Sequence, residues 1–288
     1  MHFGIVVSDP DDWTTKSLRT AFLKRGSEAD FLNFSELSAF IGAEVRLTCC
    51  GVSLTDIDGL VVRDLGRGKP ADVAFRFEML HSLEDLGIPV VNPPEAIARA
   101  ANKLGTTLAL ERAGVPTPAT ATTSSLKAAL EFLAKYKKVV SKPLFGYKGR
   151  GIVLLTEEDE TVLRTTLESQ GIVYIQEFIH LAIPRDIRAF VVNGEVMGAI
   201  YRVAPVGAWI SNLSKGGKAV PCPVTDELRD LAVRACRAVG AVYSGVDLLE
   251  TSEGLKVIEV NGTPSGKGIY DALGADVTEA IANHIIGL

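Results

Sequence analysis

Residues 243–261 read YSGVDLLETSEGLKVIEVN, two apolar runs rich in strand-forming residues and joined by Ser252, Glu253 and Gly254. Gly254 suits the left-handed position of a three-residue hairpin loop, which makes Thr251 and Leu255 the flanking pair. That register sets Asp247 across from Glu259, and the alternation of strand side chains puts Asn261 on the same face. Two like charges facing one another on adjacent strands are unfavourable unless a cation sits between them. Magnesium suits such a pair, because it takes hard oxygens from one or two carboxylates and completes its shell with water and nucleotide phosphates. A solvated strand face carrying two unrelated acids is the alternative reading of the same stretch.

The preceding hairpin, RDIRAFVVNGEVMGAIYRV (185–203), turns at Asn193-Gly194, among the strongest short-range hairpin signals. With Val192 opposite Glu195, Arg202 falls across from Arg185, and Arg188 falls on the other face. Unless a bulge intervenes, only Arg202 of that pair is expected to line a site. Upstream, SKPLFGYKGRGIVLL (141–155) places Lys142 at a strand end before Gly146, Gly149 and Gly151. Glycines let backbone N–H groups approach a phosphate, and lysine adds a point charge. Other phosphate motifs are excluded: GTPSGKG (262–268) has the wrong spacing for a P-loop, and no G-x-G-x-x-G follows the first strand.

Further out, FGIVVS, TKSLRTAFLKRG, DGLVVRDLG, FRFEMLHSLEDLG and IPVVN alternate between strand and helix patterns, the mark of a small open α/β domain. Pro93-Pro94 ends it. One long helix, EAIARAANKLGTTLALERAG, is expected next, closed by Gly114. The expected division is 1–92, 93–173 and 174–288. The chain has 288 residues, 47% hydrophobic and 23% charged, with a net charge of -5. That balance argues against a nucleic-acid surface. No apolar run reaches the length of a bilayer span and the start lacks a basic leader, so a cytoplasmic protein without membrane contact is expected. Cys49, Cys50, Cys222 and Cys236 form no CxxC or Cys/His metal pattern and are expected to be reduced packing residues.

Lys103 in RAANKLG, Lys142 with its glycine turn, QEFI (176–179), RDIRAFVVNGEV, SNLSKGG (211–217), GVDLLE and IEVNGTP occur in one fixed order. In that order they resemble the ATP-grasp superfamily, specifically its RimK-like branch of amino-acid ligases. The resemblance implies an α/β ATP-grasp fold: an N-terminal Rossmann-like preATP-grasp domain and two lobes clasping ATP. It implies Lys103 and Lys142 at nucleotide phosphates, Gln176, Glu177 and Phe178 at the adenine-side hinge, and Asp186, Ser211 and Asn212 as further nucleotide contacts. Asp247, Glu259 and Asn261 would hold two Mg²⁺ or Mn²⁺ ions, and Arg202 would stabilise an acyl phosphate. The chemistry implied is attack of a substrate carboxylate on the γ-phosphate of ATP, then displacement of phosphate by an amine.

VRDLG (62–66), FRFEMLHSLEDLGIPVVNPPEAIARAANK and the last hairpin are most similar to ligases that add L-glutamate to a carboxylate-bearing pterin one-carbon carrier. In that reading Arg63, Arg76 and Arg188 face substrate carboxylates. Gly266 and Lys267 replace bulkier or acidic positions of the family pattern. Alternatives within the branch glutamylate a deazaflavin coenzyme, a ribosomal protein or an amino-group carrier protein; outside it stands an ATP-binding module without catalysis. The superfamily also implies a homo-oligomer.

Overall fold

The computed structural model describes residues 1–146 and 149–288. The chain opens with β1 (His2–Val6), α1 (Trp13–Leu23) and β2 (Glu28–Leu32). An antiparallel ribbon follows, made of β3 (Leu37–Ile41), β4 (Val45–Cys49) and β5 (Val52–Ser53), which the strand and helix patterns do not announce. Then come β6 (Gly59–Val62), α2 (Pro70–Asp85) and β7 (Val90–Val91). The four parallel strands run in the order β2-β1-β6-β7, as an open α/β domain requires. Because the chain leaves β1 toward one edge and returns at β6 on the other side, a crevice opens at the carboxyl ends of these two strands.

The single helix expected after Pro94 is two: α3 (Pro94–Ala101) and α4 (Lys103–Arg112). Asn102 breaks it. Its backbone is extended (φ -95, ψ 107), its side chain accepts the Gly105 N–H at 3.1 Å, and the chain beside it bridges to Phe145. Asparagine in a helix interior competes with the backbone for such bonds, whereas at an N-cap it satisfies an orphan donor. The break leaves Lys103 as the first residue of α4.

The central lobe is built from β8 (Thr120–Thr123), α5 (Leu126–Tyr136), β9 (Lys138–Lys142), β10 (Val153–Thr156), α6 (Glu160–Gln170) and β11 (Val173–Glu177). Its strands are antiparallel in the order β10-β9-β11-β8. It has its own core, with Ala129, Leu133, Val139, Leu155, Leu163 and Ile175. The boundary expected after residue 173 therefore falls inside β11, which pairs with β9 and β8 and carries Gln176 and Glu177 with them.

The last lobe holds β12 (Arg185–Val192), β13 (Glu195–Val203), β14 (Lys218–Pro221), α7 (Asp226–Val239), β15 (Tyr243–Thr251), β16 (Gly254–Asn261), α8 (Lys267–Leu273) and α9 (Val277–Ile286). The sheet order is β14-β13-β12-β15-β16. Ile187, Ala189 and Val191 of β12 face α7 and join Leu228, Leu231 and Ala232 in one core. On the opposite face Phe190, Val192 and Ile200 pack against Phe3, Ile5 and Ile281. Each such fully buried side chain contributes roughly 1.5–3 kcal/mol, so the first domain and the last lobe share a substantial core.

Asn92, fully buried, ties the same two units together. Its amide nitrogen donates to the carbonyls of Tyr243 (2.7 Å) and Gly262, and its oxygen accepts from the backbone of Val242 (2.7 Å) and Tyr243 (3.0 Å).

Both hairpin registers differ from expectation. In the first, Val192 does lie across from Glu195, but the ladder shifts between Phe190 and Val191, and Phe190 pairs with Gly198. Met197 is looped out, so Arg202 lies across from Asp186 rather than Arg185. In the second, Thr251 pairs with Gly254 (φ +111), so the loop is Ser252-Glu253 alone. A shift between Asp247 and Leu248 skips Ile258 and restores the expected Asp247–Glu259 pair.

Candidate active site

The bulge at Met197 corrects the expectation that Arg188 and Arg202 lie on opposite faces. Both reach Asp247. Arg188 grips it with Nε on Oδ1 and NH2 on Oδ2, the latter at 2.9 Å. NH2 of Arg202 lies 2.8 Å from Asp247 Oδ2, while its Nε and NH2 donate to the two oxygens of Asp186 at 2.7 and 2.6 Å. Asp186, Arg202 and Asp247 are 6%, 5% and 1% exposed. Burial opposes the charge on Arg202, but Asp247 and Asp186 outweigh it and hold the guanidinium protonated far above its ordinary range. Burial also opposes ionisation of Asp247, and Arg188 and Arg202 overcome that, keeping its carboxyl below the usual value. Such a chain of buried ions persists because every charge has a partner.

Asp186, Arg202, Asp247 and Glu259 form one wall of a cavity of about 340 Å³ between the central and last lobes. Lys142 lines it from the central lobe and Lys103 from the start of α4; a Cβ on Gly146 would stand 3.0 Å from Lys103 Nζ. Lys142 donates to Gln176 Oε1 at 2.8 Å, and Gln176 in turn donates to Thr120 Oγ1 at 3.0 Å. Burial pulls Lys142 down to about 8, against the opposite pull of the Glu259 carboxylate. Ser211 and Asn212 close another side, and Asn212 crowds Gly149 so closely that a Cβ there would lie 2.9 Å from its amide oxygen. Tyr147 and Lys148 of the glycine-rich turn lie outside the described residues.

The far end of the cavity is apolar. Val140, Leu154, Leu249 and Ile258 line it with Phe178, whose ring meets Trp209 edge-on at 5.8 Å. Trp209 is a lining residue the sequence reading missed, since a lone tryptophan in a loop has no periodicity. Glu177 sits at this end, paired with Lys256 at 3.5 Å. The N–H of Phe178 donates to Lys138 O at 3.1 Å, so the sheet already uses that donor. A site apolar at one end and cationic at the other accommodates a flat heterocycle joined to a polyphosphate.

The expected metal ligands fit in chemistry and only partly in disposition. Asp247 and Glu259 face each other, and Asn261 pairs with Gly245, donating its amide nitrogen to Gly245 O at 3.2 Å; this leaves the amide oxygen as its hard donor. Among the described residues no group of three or more His, Cys, Asp or Glu stands close enough to hold an ion. Two carboxylates and an amide suit magnesium, which relies on water and phosphate for the rest of its shell. Both oxygens of Asp247 accept from arginines here, and Oδ1, with a single donor, keeps a lone pair for an ion.

Arg63 and Arg76 lie outside this cavity, at the crevice of the first sheet. Arg63 is 7% exposed, donates to Pro264 O at 2.8 Å, and lies 3.7 Å from Asp12; among the described residues its Nε has no hydrogen-bond partner. Arg76 donates NH1 to Leu65 O (2.7 Å) and Arg67 O (3.0 Å), bracing the loop that follows Arg63. Arg188 lies between the two regions: a Cβ on Gly245 would stand 3.1 Å from its NH1 and 3.0 Å from Pro264.

Residues 100–285 match the family model described as the RimK-like ATP-grasp domain. The chain is 39% identical to the tetrahydromethanopterin:α-L-glutamate ligase of Methanosarcina acetivorans over 98% of this chain and 98% of that protein. It is 35% identical to the ligase of the same name from Methanococcus maripaludis, over 99% of this chain and 98% of the relative. The ATP-grasp ligase PsnB, solved with minimal precursor, Mg and ADP, superposes with a TM-score of 0.76 at 22% identity, over 99% of this chain and 97% of that one. The likeness to PsnB is one of fold.

Proposed function

Since the chain belongs to the RimK-like ATP-grasp family, we propose that it is the ATP-dependent ligase that joins L-glutamate to a tetrahydromethanopterin-type one-carbon carrier. A carboxylate of the pterin attacks the γ-phosphate of ATP, giving ADP and an acyl phosphate. The amine of glutamate then displaces phosphate and forms the C–N bond. The observation that carries this reading is the 39% identity, over 98% of both chains, to a ligase named for that reaction. The cavity agrees with it in chemistry, being apolar toward Phe178 and cationic toward Lys103 and Lys142.

In this reading Lys103 and Lys142 bind phosphate oxygens, and Gln176 holds Lys142 in place. Phe178 and Trp209 border the adenine, with Glu177 beside them. Asp186 orients Arg202, which meets the charge that develops on the acyl phosphate; preorganised donors of this kind are among the largest catalytic contributions. Ser211 and Asn212 close over the phosphates. Arg63 and Arg188 receive the carboxylates of the acceptor and of glutamate, and Arg76 keeps the loop beyond Arg63 in place.

Magnesium, the ion seen with ADP in PsnB, would be held here by Asp247, Glu259 and Asn261, as two ions or as Mn²⁺ in its stead. When bound, it neutralises phosphate charge. All other work falls to the side chains named, since positioning and charge complementarity suffice for phosphoryl transfer. Self-association and a cytoplasmic location belong to the same proposal; no helix among the described residues is long and apolar enough to cross a membrane.

The test is mass spectrometry of a reaction holding the purified protein, ATP, magnesium, L-glutamate and the unglutamylated pterin. A product heavier by one glutamyl residue, with ADP released, is expected. ADP release with a deazaflavin coenzyme or a protein tail, and none with the pterin, would overturn the acceptor and keep the ligase.

A further inference from the structure

Cys49 and Cys50 are neighbours in sequence, and in an extended strand neighbouring side chains point to opposite faces. Here they do not. Cys50 adopts a left-handed backbone (φ +52) at the end of β4, and the two sulfurs lie on one side, 3.7 Å apart. Both meet the backbone of Asn33. Cys49 Sγ donates to Asn33 O at 3.2 Å and Cys50 Sγ approaches the same oxygen at 3.8 Å, while the Asn33 N–H donates to Cys50 Sγ at 3.3 Å. A residue with a Cβ is uncommon in the left-handed region, and its surroundings must hold it there.

The two thiols stand in different settings. Cys49 is fully buried beside Leu47 and Leu54; burial, with Cys50 next to it, pushes its thiol well up. Cys50 is exposed, so its sulfur is open to a small disulfide, and the Asn33 N–H holds it in position. One thiol is set to attack and the other to follow. Cys222 and Cys236 are buried, at 7% and 1% exposure, and their thiols bond to the carbonyls of Pro223 and Ala241.

We propose that Cys49 and Cys50 form a thiol–disulfide exchange site for low-molecular-weight disulfides. The Cys50 thiolate attacks one sulfur of the small disulfide, breaking its S–S bond; a mixed disulfide forms and one small thiol leaves. Cys49 Sγ then attacks Cys50 Sγ, releasing the second small thiol and closing a Cys49–Cys50 bond. The protein loses two electrons and two protons, and the two released small thiols carry both. Adjacent Cα atoms are about 3.8 Å apart across a trans peptide, less than the usual disulfide span of about 4.4 Å or more, so the product is readily reduced again.

The experiment incubates the reduced full-length protein with oxidised glutathione, then measures intact mass and maps alkylated peptides without reduction. The native chain is expected to become two hydrogens lighter without retained glutathione, with the bond on the peptide holding residues 49 and 50. The C49S variant is expected to keep one glutathionyl group on Cys50, and C50S to take up none. Reaction at Cys50 should exceed that at Cys222 or Cys236 by about tenfold or more. An unchanged native mass, retained glutathione, a covalent dimer, or equal reaction at Cys222 and Cys236 would overturn the proposal. The native-chain map decides alone if either variant fails to fold.

Discussion

Arg188 and Arg202 reach the same carboxylate, that of Asp247, from two different strands. Arg202 also holds Asp186, so four ions form one row with Asp247 shared between the two arginines. Removing Arg202 leaves Asp186 buried without its partner, which costs more than an absent surface pair.

The R202Q variant should therefore lose stability as well as activity. About 3–5 kcal/mol is expected, the usual loss when one side of a buried pair is removed. Urea denaturation measures it. The double variant D186N/R202Q should lose less than the sum of its single changes; strict additivity would show that the two side chains are not coupled.

Glu259 is half-buried and, among the described residues, bonded into no comparable network, so E259Q separates chemistry from folding. ADP formation should fall about 10²-fold or more, by analogy with the loss of one preorganised transition-state contact. Its thermal transition should stay close to that of the native protein. Retained turnover would remove Glu259 from the metal assignment.

Lys142 gives the protein a pH signature. Its folded value, about 8, lies below its ordinary value of 10.5 because burial penalises the charge. Below pH 8 both folded and unfolded chains carry the proton, and the penalty is present in full. Between pH 8 and 10.5 the unfolded chain binds more protons, so this residue makes stability rise with pH across that window. Nucleotide affinity should move the other way, declining above pH 8 as the lysine loses its charge. Titration calorimetry with ADP should show that decline in the native protein and a flat profile in K142M.

Asn102 places Lys103 by ending one helix and capping the next. N102A should cost about 1 kcal/mol, a typical loss for an N-cap, and should raise KM for ATP several-fold. N102D keeps a capping oxygen and should restore most of the stability. Equal losses in both variants would point to the amide nitrogen instead.

Much of this site is readable in the amino-acid order, because glycines and alternating apolar residues mark strands and turns directly. The pairing of Asp247 with Glu259 is read correctly even though the loop is one residue shorter than expected, since the skipped Ile258 cancels the error. A bulged residue that resembles its strand neighbours carries no local mark. Gly198 was the available hint in the other hairpin: glycine inside a strand often accompanies a bulge, and here a Cβ would press within 2.8 Å of Leu273. Arg188 could not be assigned to its face without that shift. Contacts that join distant segments, such as Arg63 to Pro264 and Phe178 to Trp209, depend on how the lobes meet, which spacing does not encode.

Asn92 turns the two ends of the chain into a single anvil. With its four backbone bonds and the core shared by Phe3, Phe190 and Ile281, the first domain and the last lobe form one packed unit. The central lobe keeps a core of its own. The cavity is therefore bounded on one side by this fused unit and on the other by a lobe with separate packing, and Arg63 and Arg188 both stand on the fused side.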